Sequence, residues 1–282
     1  MIALGTLNTL TVKKQVKFGY YLDGLSWGEI LLPNNVAPAN LEIGQELSVF
    51  LYLDSEDQLI ATTERPRVMV GQVAMLPVVA VTKVGAFLNW GLKKDLLVPF
   101  SEQQIPLKEG QHYLVYCYVD LSNRIVASTK LDRHIHKTPA NYQVGDKVAI
   151  TVSEQTELGY KVVIEHQHWG VLYKNEVFKP LRRGDKLTAY VMKVRDDGKI
   201  DLRLVSTTHK QAQELTDKVL HKLKQNGGKL ALTDKSSPEQ IYDAFGVSKK
   251  AFKQAIGALY KEKKIVITEQ GLILVPEATN PN

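Results

Sequence analysis

The chain has 282 residues and a net charge of +6, so it has room for one to four domains and a mild preference for polyanionic partners. Its single cysteine, Cys117, excludes an intramolecular disulfide bond and a multi-cysteine zinc site, and it predicts a reducing, cytoplasmic compartment. The sequence has neither a signal-peptide pattern nor an apolar run of about 20 residues, so we expect a soluble protein without a membrane contact.

Three successive segments of the chain carry glycines at the same spacing. The glycines of the three copies are Gly5, Gly19 and Gly44; Gly71, Gly85 and Gly110; and Gly145, Gly159 and Gly184. Within each copy they lie 14 and 25 residues apart, and similar segments surround the third one: IGQELSVFLYLD, EGQHYLVYCYVD and RGDKLTAYVMKV. Identical spacing with matching flanks predicts three copies of one structural unit.

Each copy is predicted to form five short strands. A strand rich in β-branched residues follows the first glycine, the second strand contains the second glycine, and the fourth follows the third glycine. The third strands are GEILLP, DLLVPF and WGVLYK, and the fifth are QLIATTE, RIVASTK and KIDLRLV. The fourth and fifth strands are joined by the polar turns DSEDQ, DLSNR and RDDGK. This pattern predicts a small closed β-barrel in each copy, bent at its glycines.

The segment VGAFLNWG, residues 84–91, resembles the FGAFV…G signature of the S1 motif, a five-stranded OB-fold module that binds RNA. The segment KFGYYLDG of the first copy matches equally well, and ELGYKVVI of the third copy is degenerate. The resemblance implies three S1-like barrels at residues 1–66, 67–133 and 141–205. Only short linkers, near 66–69, 131–141 and 205–209, separate these barrels from each other and from the rest of the chain.

The S1 resemblance also implies which residues contact RNA. The expected positions are two aromatic residues on the signature strand, a ring on the third strand, and an aspartate with a basic residue at the fourth turn. The first copy has Phe18, Tyr21, Pro33, Asp54 and Gln58 at these positions. The second copy has Val84, Phe87, Pro99, Asp120 and Arg124. The third copy has Leu158, Lys161 and Tyr173, then Asp196 and Lys199 in a turn that we expect to be longer.

No copy has the complete set, so we expect a shared and largely electrostatic surface for single-stranded RNA, in which each linked module assists the next. Each ring has the alternative role of a core residue, as is common for aromatic residues in small barrels. We expect Trp27, Trp90 and Trp169 to pack at the ends of the barrels.

The third copy has a basic segment that either contacts phosphates or is simply solvated. Its cations are Lys174, Lys179, Arg182, Arg183 and Lys186, and the nearby rings are Tyr160, Tyr173 and Phe178.

After residue 206 the apolar residues follow a helical period. A first helix is predicted with Ala212, Leu215, Val219, Leu220 and Leu223 on one face. Ser237 and Pro238 suit the start of a second helix, and Ser248 can cap a third. The third helix is predicted to bury Phe252, Ile256 and Leu259, and IVITEQGLILV is typical of a hairpin. Residues 208–277 therefore resemble a winged-helix domain.

In winged-helix domains the second helix of the pair commonly enters the major groove of DNA. The side chains that we expect to be exposed on this helix are Lys249, Lys250, Lys253, Gln254 and Lys261. It has no arginine, the residue that makes the commonest base-specific contact. RNA, DNA and protein therefore all remain possible partners, as does a purely structural role.

The sequence contains no convincing set of catalytic residues, so we expect neither an enzyme nor a cofactor. Two short motifs, HIH at 134–136 and HQH at 166–168, would place two histidines on one face of a strand. Asp132 is the only candidate third ligand near the first motif, so we predict no metal site. Cys117 lies in an apolar strand and is expected to be buried and inert.

The order of the domains resembles that of the conserved virulence factor B family of bacterial RNA-binding regulators. The expected fold is multidomain and mainly β, with three tandem five-stranded OB-fold barrels followed by an α+β winged-helix domain. The resemblance implies post-transcriptional regulation of gene expression, including virulence traits, by a protein that we expect to be a monomer. The alternatives are a winged-helix transcription regulator that binds duplex DNA, and a protein-binding scaffold associated with ribosomes or nucleases.

Overall fold

The computed structural model describes residues 2–135, 140–177, 180–204 and 209–275, and for residues 175 and 209–213 it describes the backbone alone. The chain forms two compact units. The first consists of Met1–Pro139 with Val163–His168, and the second of Ala140–Val162 with Trp169–Asn282.

The first barrel closes in the strand order β1-β2-β3-β5-β4, in which only β3 and β5 run parallel. Its strands are β1 (Leu7–Val16), β2 (Gly19–Asp23), β3 (Glu29–Pro33), β4 (Glu46–Leu53) and β5 (Leu59–Thr62). Side chains alternate across each strand, so Leu22, Ile30 and Leu32 point inward and are fully buried. Tyr21, between two inward-pointing residues, faces the other side of the sheet.

The second barrel closes in the order β10-β8-β7-β6-β9. Its strands are β6 (Val73–Thr82), β7 (Gly85–Leu88), β8 (Leu96–Pro99), β9 (His112–Val119) and β10 (Ile125–Ser128). Cys117 and Trp90 are buried in its core, as expected. Phe50 of β4 belongs to the same core and meets Trp90 edge to face, with the ring centroids 5.7 Å apart. The first two barrels therefore share apolar packing.

The third barrel closes in the order β11-β12-β13-β15-β14. Its strands are β11 (Lys147–Gln155), β12 (Gly159–Ile164), β13 (His168–Tyr173), β14 (Lys186–Val194) and β15 (Ile200–Arg203). The prediction of three closed five-stranded barrels is thus confirmed.

The second glycine of each copy lies where two backbones approach closely. A Cβ atom added to Gly85, which has a φ of +149°, would lie 2.3 Å from the carbonyl oxygen of Val98. The corresponding distances are 2.3 Å at Gly19 and 2.2 Å at Gly159. No side chain fits at such distances, which explains why glycine recurs at this place in the repeat.

The C-terminal domain has the helices and hairpin of a winged helix. Its elements are α1 (His209–Gln225), β16 (Lys229–Leu230), α2 (Pro238–Phe245), α3 (Lys249–Lys261), β17 (Ile265–Thr268) and β18 (Gly271–Leu274). The short strand β16, which was not predicted, extends the hairpin into a three-stranded sheet of order β16-β18-β17.

The predicted helix caps of this domain are present. Ser237 and Gln240 form a reciprocal capping box at the start of α2, and Gly246 ends that helix with a left-handed φ of 68°. The side chain of Ser248 accepts a hydrogen bond from the backbone of Ala251 and caps α3. The predicted core residues Leu215, Val219, Leu223, Phe252, Ile256 and Leu259 are buried. Leu220 is only half-buried, and the side chain of Ala212 lies outside the described residues.

The HQH motif does not form the pair that the sequence suggested, and the HIH motif lies partly outside the described residues. His166 lies in the turn before β13 with a left-handed φ of 65°, whereas His168 is buried on the strand, so they share no strand face. His134 and Ile135 follow a 3-10 turn, and His136 lies outside the described residues. Within the described ranges no three His, Cys, Asp or Glu side chains are placed to hold a metal. No described helix is long and apolar enough to cross a membrane.

Candidate nucleic-acid interface

The first barrel presents two aromatic rings on its signature strand. Phe18, just before β2, is 57% exposed, and Tyr21 on β2 is half-buried. Their rings meet edge to face with centroids 6.4 Å apart. The ammonium group of Lys14 lies 4.8 Å from the centroid of the Tyr21 ring and is paired with Glu29 at 2.6 Å. Phe18 is thus a solvent-facing ring beside Tyr21, and the cation Lys14 lies over Tyr21, so the pair can stack a base and approach a phosphate.

The second barrel presents one ring where the first presents two. Phe87 on β7 is half-buried, and the position equivalent to Phe18 holds Val84, which is 52% exposed. Phe87 lies opposite Leu97 in the β7–β8 pair and lines a cavity together with Arg124. This barrel therefore combines one aromatic side chain with an arginine, the pair that suits stacking and phosphate contact.

Asp120 organises the turn between β9 and β10 and holds Arg124 in place. Its carboxylate accepts hydrogen bonds from the backbone N–H groups of Ser122 and Arg124, at 2.8 and 3.0 Å, and from the Arg124 guanidinium at 3.0 and 3.2 Å. Partial burial opposes ionisation, but the backbone hydrogen bonds and the Arg124 side chain outweigh it, so the pKa of Asp120 is lowered. Asp120 consequently positions Arg124, whose side chain is 52% exposed.

Asp54 has the same local role in the first barrel. Its side chain accepts hydrogen bonds from the backbone of Glu56 at 2.9 Å and of Gln58 at 3.0 Å. The residue at the place of Arg124 is Gln58, so this turn provides no cation of its own.

The corresponding turn of the third barrel differs from the prediction. It has the same five-residue length as the others, because the backbone bond from Arg195 to Lys199 (2.8 Å) matches the one from Asp120 to Arg124 (2.9 Å). Arg195, and not Asp196, therefore stands in the place of Asp120. Lys199 is paired instead with Asp197, at 3.1 Å, and the side-chain hydrogen bond from Lys199 lowers the pKa of Asp197.

Tyr173 is anchored to two charged residues of the third barrel. Its hydroxyl donates to the buried carboxylate of Asp201 at 3.2 Å, and Arg195 contacts both the hydroxyl and Asp201, the latter at 2.9 Å. Burial and the negative charge of Asp201 raise the pKa of Tyr173. Its ring is therefore held in one orientation by a network that also neutralises much of the charge of Arg195.

Lys161 takes the place of the signature-strand rings of the other barrels, and it covers a tryptophan. Its ammonium group lies 3.9 Å from the centroid of the Trp169 ring and 3.8 Å from Glu154. Trp169, on the neighbouring strand β13, therefore places a half-buried ring beside the position of the missing one. The predicted role of Trp169, which is packing at a barrel end, did not include this pairing. The signal in the sequence is an aromatic residue on the third strand of the copy that lacks the signature rings.

Trp27 also differs from its predicted packing role. It lies in the turn after β2 and is 49% exposed, because that turn is a short 3-10 segment with no buried residue. Trp90 alone among the three tryptophans is fully buried, and its indole N–H donates to the carbonyl of Lys94 at 2.6 Å.

The basic segment of the third barrel is exposed to solvent. Lys174, Arg182 and Arg183 are exposed, while Lys179 and Phe178 lie outside the described residues. Tyr160, expected to be interleaved with these charges, is instead buried and accepts a hydrogen bond from the backbone of Leu181 at 3.3 Å. It points inward because it alternates with Lys161 along β12.

The recognition-type helix α3 presents fewer free cations than the sequence suggested. Lys250 is exposed, as expected. Lys249 is only half-buried and donates to the carbonyl of Lys235 at 3.4 Å, because the first turn of α3 packs on that segment. Lys253 is exposed but lies 3.7 Å from Asp234. Gln254 and Lys261 extend the exposed face.

Comparison with families of known domains agrees with this architecture. A model of the S1 domain matches residues 4–64 and 70–130, and a model of the CvfB-like winged helix domain matches residues 217–274. Domains of these two kinds bind nucleic acids, and neither is an enzyme family.

Curated relatives resemble the chain over most of its length. A Bacillus subtilis protein called "Uncharacterized protein YitL" is 29% identical over 91% of this chain and 89% of its own. Conserved virulence factor B of Staphylococcus aureus is 24% identical over 82% of each chain. A crystal structure of a multidomain protein with nucleic acid binding domains from Streptococcus pneumoniae is 25% identical, covers 96% of this chain and 98% of its own, and has a TM-score of 0.40.

Proposed function

This chain belongs to the family of conserved virulence factor B, and on that premise we propose that it binds single-stranded RNA and regulates gene expression after transcription, virulence traits included. The observation that carries the proposal is the 57% exposure of Phe18, which lies at the start of the signature strand of an S1-type barrel and against Tyr21, the ring that Lys14 covers. A base stacked on such a ring contributes roughly 1–3 kcal/mol of binding free energy, and the contribution depends little on which base it is.

The three barrels act together in this proposal because each supplies its own set of RNA-binding groups on the same chain. The first offers two rings, the second offers Phe87 with Arg124, and the third offers Lys161 above Trp169 together with a basic segment. Weak sites on one chain raise the effective concentration of RNA for one another, so multivalent binding is tighter than that of any single barrel. The proposed domains are the three barrels at residues 1–66, 67–133 and 141–205 and the winged helix at residues 208–277.

Two kinds of residue take part in the proposed interface. Those proposed to contact RNA are Phe18, Tyr21, Phe87, Arg124, Lys161, Tyr173, Lys174, Arg182, Arg183 and Lys199, with Lys249, Lys250 and Lys253 in the winged helix. Asp54 and Asp120 act by shaping their turns and, for Asp120, by positioning Arg124. The proposed compartment is the cytoplasm.

Fluorescence anisotropy tests the proposal, with a labelled single-stranded RNA and a duplex DNA of equal length compared at two salt concentrations. The wild-type protein should prefer the RNA, and Phe18→Ala with Tyr21→Ala should weaken RNA binding by about tenfold or more. Ile43→Ala, which removes an apolar side chain that is 66% exposed elsewhere on the same barrel, is the matched control. Undiminished RNA binding by a folded double variant would remove the barrel surface from the proposal.

A second candidate function is duplex DNA binding through the winged helix. It is favoured by the exposure of Lys250, Gln254 and Lys261 on α3, the helix that commonly enters the major groove. In the same assay, the wild-type protein would then prefer duplex DNA, and replacing these three residues by alanine would remove that preference. This result would establish DNA binding over RNA binding as the function. Effects of these substitutions on RNA alone would place α3 in the RNA surface.

A further inference from the structure

A small cavity lies where the first two barrels meet, within the first compact unit. Its volume is about 170 Å³, and its lining includes Tyr52, Phe87, Trp90, Lys94, Asp95 and Arg124. Sites for drug-sized ligands typically occupy roughly 300–1,000 Å³, so this cavity suits one small planar ring system, such as a single nucleobase. Phe87, the ring of the second signature strand, forms part of its wall.

The walls of this junction cavity are fixed to each other by contacts across the two barrels. The ammonium group of Lys94, in the second barrel, is paired with Asp57 of the first barrel at 3.0 Å and also donates to the carbonyl of Asp54. Trp90 is held by its hydrogen bond to Lys94 and by its edge-to-face contact with Phe50. Because the walls are held in advance, a ligand loses little entropy in ordering them.

The polar groups of the cavity include an acceptor without a partner. The side chain of Asp95 is half-buried and, within the part of the chain that the structure describes, makes no hydrogen bond or ion pair. Burial raises the pKa of Asp95, because its carboxylate has lost part of its hydration. A ligand that donates a hydrogen bond to this carboxylate would stabilise its charged form. Tyr52 remains a donor, since burial and the charges of Glu64 and Asp54 raise the pKa of its phenol.

We propose that the junction cavity binds one nucleobase of a bound RNA and prefers guanine, with the base against Phe87 and its Watson–Crick edge facing Asp95. This inference rests on the proposed RNA binding. Guanine presents two adjacent donors, N1–H and N2–H, that match the two oxygens of a carboxylate. Uracil presents one donor between two carbonyl oxygens, which the negative charge of Asp95 repels. Arg124, which also lines the cavity and has a half-exposed side chain, contacts the neighbouring phosphate.

The test compares two labelled RNAs with the full-length protein: an oligouridine, and the same oligomer with one central guanosine. Wild-type protein should bind the guanosine-containing RNA about tenfold more tightly, the discrimination of one good bidentate contact. Asp95→Asn turns one acceptor into a donor, so the preference should disappear while oligouridine binding remains.

Glu29→Gln is the matched control for this experiment. Glu29 occupies the equivalent place in the first barrel, because Ile30 pairs with Leu22 as Leu96 pairs with Leu88. It changes the net charge by the same amount as Asp95→Asn but lies outside the cavity lining. Because Glu29 pairs with Lys14 of the first barrel, the substitution should change the affinity for both RNAs alike, and the preference for guanosine should persist.

Each other outcome overturns a specific part of the inference. Equal binding of both RNAs by the wild-type protein would remove the guanine site and leave the proposed RNA binding intact. If Asp95→Asn keeps the preference for guanosine, the inference is also overturned, because another group must then recognise the guanine base. Failure to bind either RNA would overturn the proposed function and the guanine site together.

Discussion

The ammonium group of Lys161 lies 3.9 Å from the centre of the Trp169 ring. In the other two barrels the position of Lys161 holds Tyr21 or Phe87, both of which can stack a base directly. The third barrel thus has the ring on β13 and the charge on β12. This exchange keeps an aromatic surface and a cation together on the same side of the barrel, although the signature sequence is lost.

We expect Trp169→Ala to lower RNA affinity by about fivefold or more, because it removes both a stacking ring and the support of Lys161. Trp169→Phe keeps a ring and should retain most of the affinity. Anisotropy titrations give the affinities, and thermal unfolding shows whether both variants remain folded. A lower melting temperature with unchanged affinity would reduce Trp169 to a packing residue.

The exposed pair Arg182 and Arg183 should contribute to the salt dependence of RNA binding. Each phosphate neutralised on a single strand contributes about 0.7 to the slope of log affinity against log salt. Arg182→Ala with Arg183→Ala should therefore reduce the slope by about 1.4 if both contact phosphates. Lys108→Ala with Lys147→Ala removes the same charge from exposed positions elsewhere and should leave the slope nearly unchanged. Equal slopes for the two double variants would show that the basic segment is merely solvated.

Asp120 should contribute a stability that depends on pH. Its pKa in the folded state is lowered from 3.8, so its contribution is present above that value and is lost as the pH falls through the lower folded pKa. Asp120→Asn should cost about 1 kcal/mol of unfolding free energy at neutral pH and almost nothing in strong acid. Urea denaturation at the two pH values measures both. Asp196→Asn, in an exposed turn position, is the control, and the same cost at both pH values would contradict the ion-pair explanation.

Cys117 should be unreactive in the folded protein. Its side chain is fully buried in the core of the second barrel, and burial raises the pKa of the thiol to about 12. The thiolate is the reactive form, so neither access nor ionisation favours modification near neutral pH. A colorimetric thiol reagent should react only after urea is added. Rapid reaction without urea would mean that the second barrel opens readily.

The repeats made the fold predictable from sequence, whereas the candidate site was only partly so. The glycine spacing indicates where two strands of one copy approach closely, as Gly85 does with Val98. Ser237 and Ser248 indicate where helices begin, because each caps a helix in its own segment. Such signals depend on neighbours in the chain or on a repeated pattern. They predicted three barrels and the helices of the winged helix.

The junction cavity could not be predicted because its walls come from different copies. Asp95 and Lys94 are ordinary surface residues in the sequence, and Tyr52 looks like any strand aromatic residue until the first two barrels pack together. The prediction that Asp196 takes the place of Asp120 in the third barrel is wrong for a related reason. Two acidic residues follow Arg195, and only the backbone hydrogen bond to Lys199 fixes which residue stands at the place of Asp120.

The role of the repeated glycine can be tested against a glycine in a helix. Gly85→Ala places a methyl group 2.3 Å from the carbonyl oxygen of Val98 at a φ of +149°, and should cost roughly 2 kcal/mol or more of unfolding free energy. Gly257 lies inside α3 with open space around it. Gly257→Ala should therefore stabilise the protein by about 0.5–1 kcal/mol, because alanine restricts the unfolded chain and favours the helix.

Urea titrations of the two glycine variants give these free energies, and their opposite signs are the essential result. A well-tolerated Gly85→Ala would mean that β7 and β8 can separate without loss of stability, so the recurring glycine would need another explanation. If instead Gly85→Ala is destabilising and Phe87 stays on the same strand face, the glycine is what lets β7 lie tightly on β8. The signature then couples a tight strand pair to the presentation of a ring, because Gly85 and Phe87 are two residues apart and lie on the same face of one short strand.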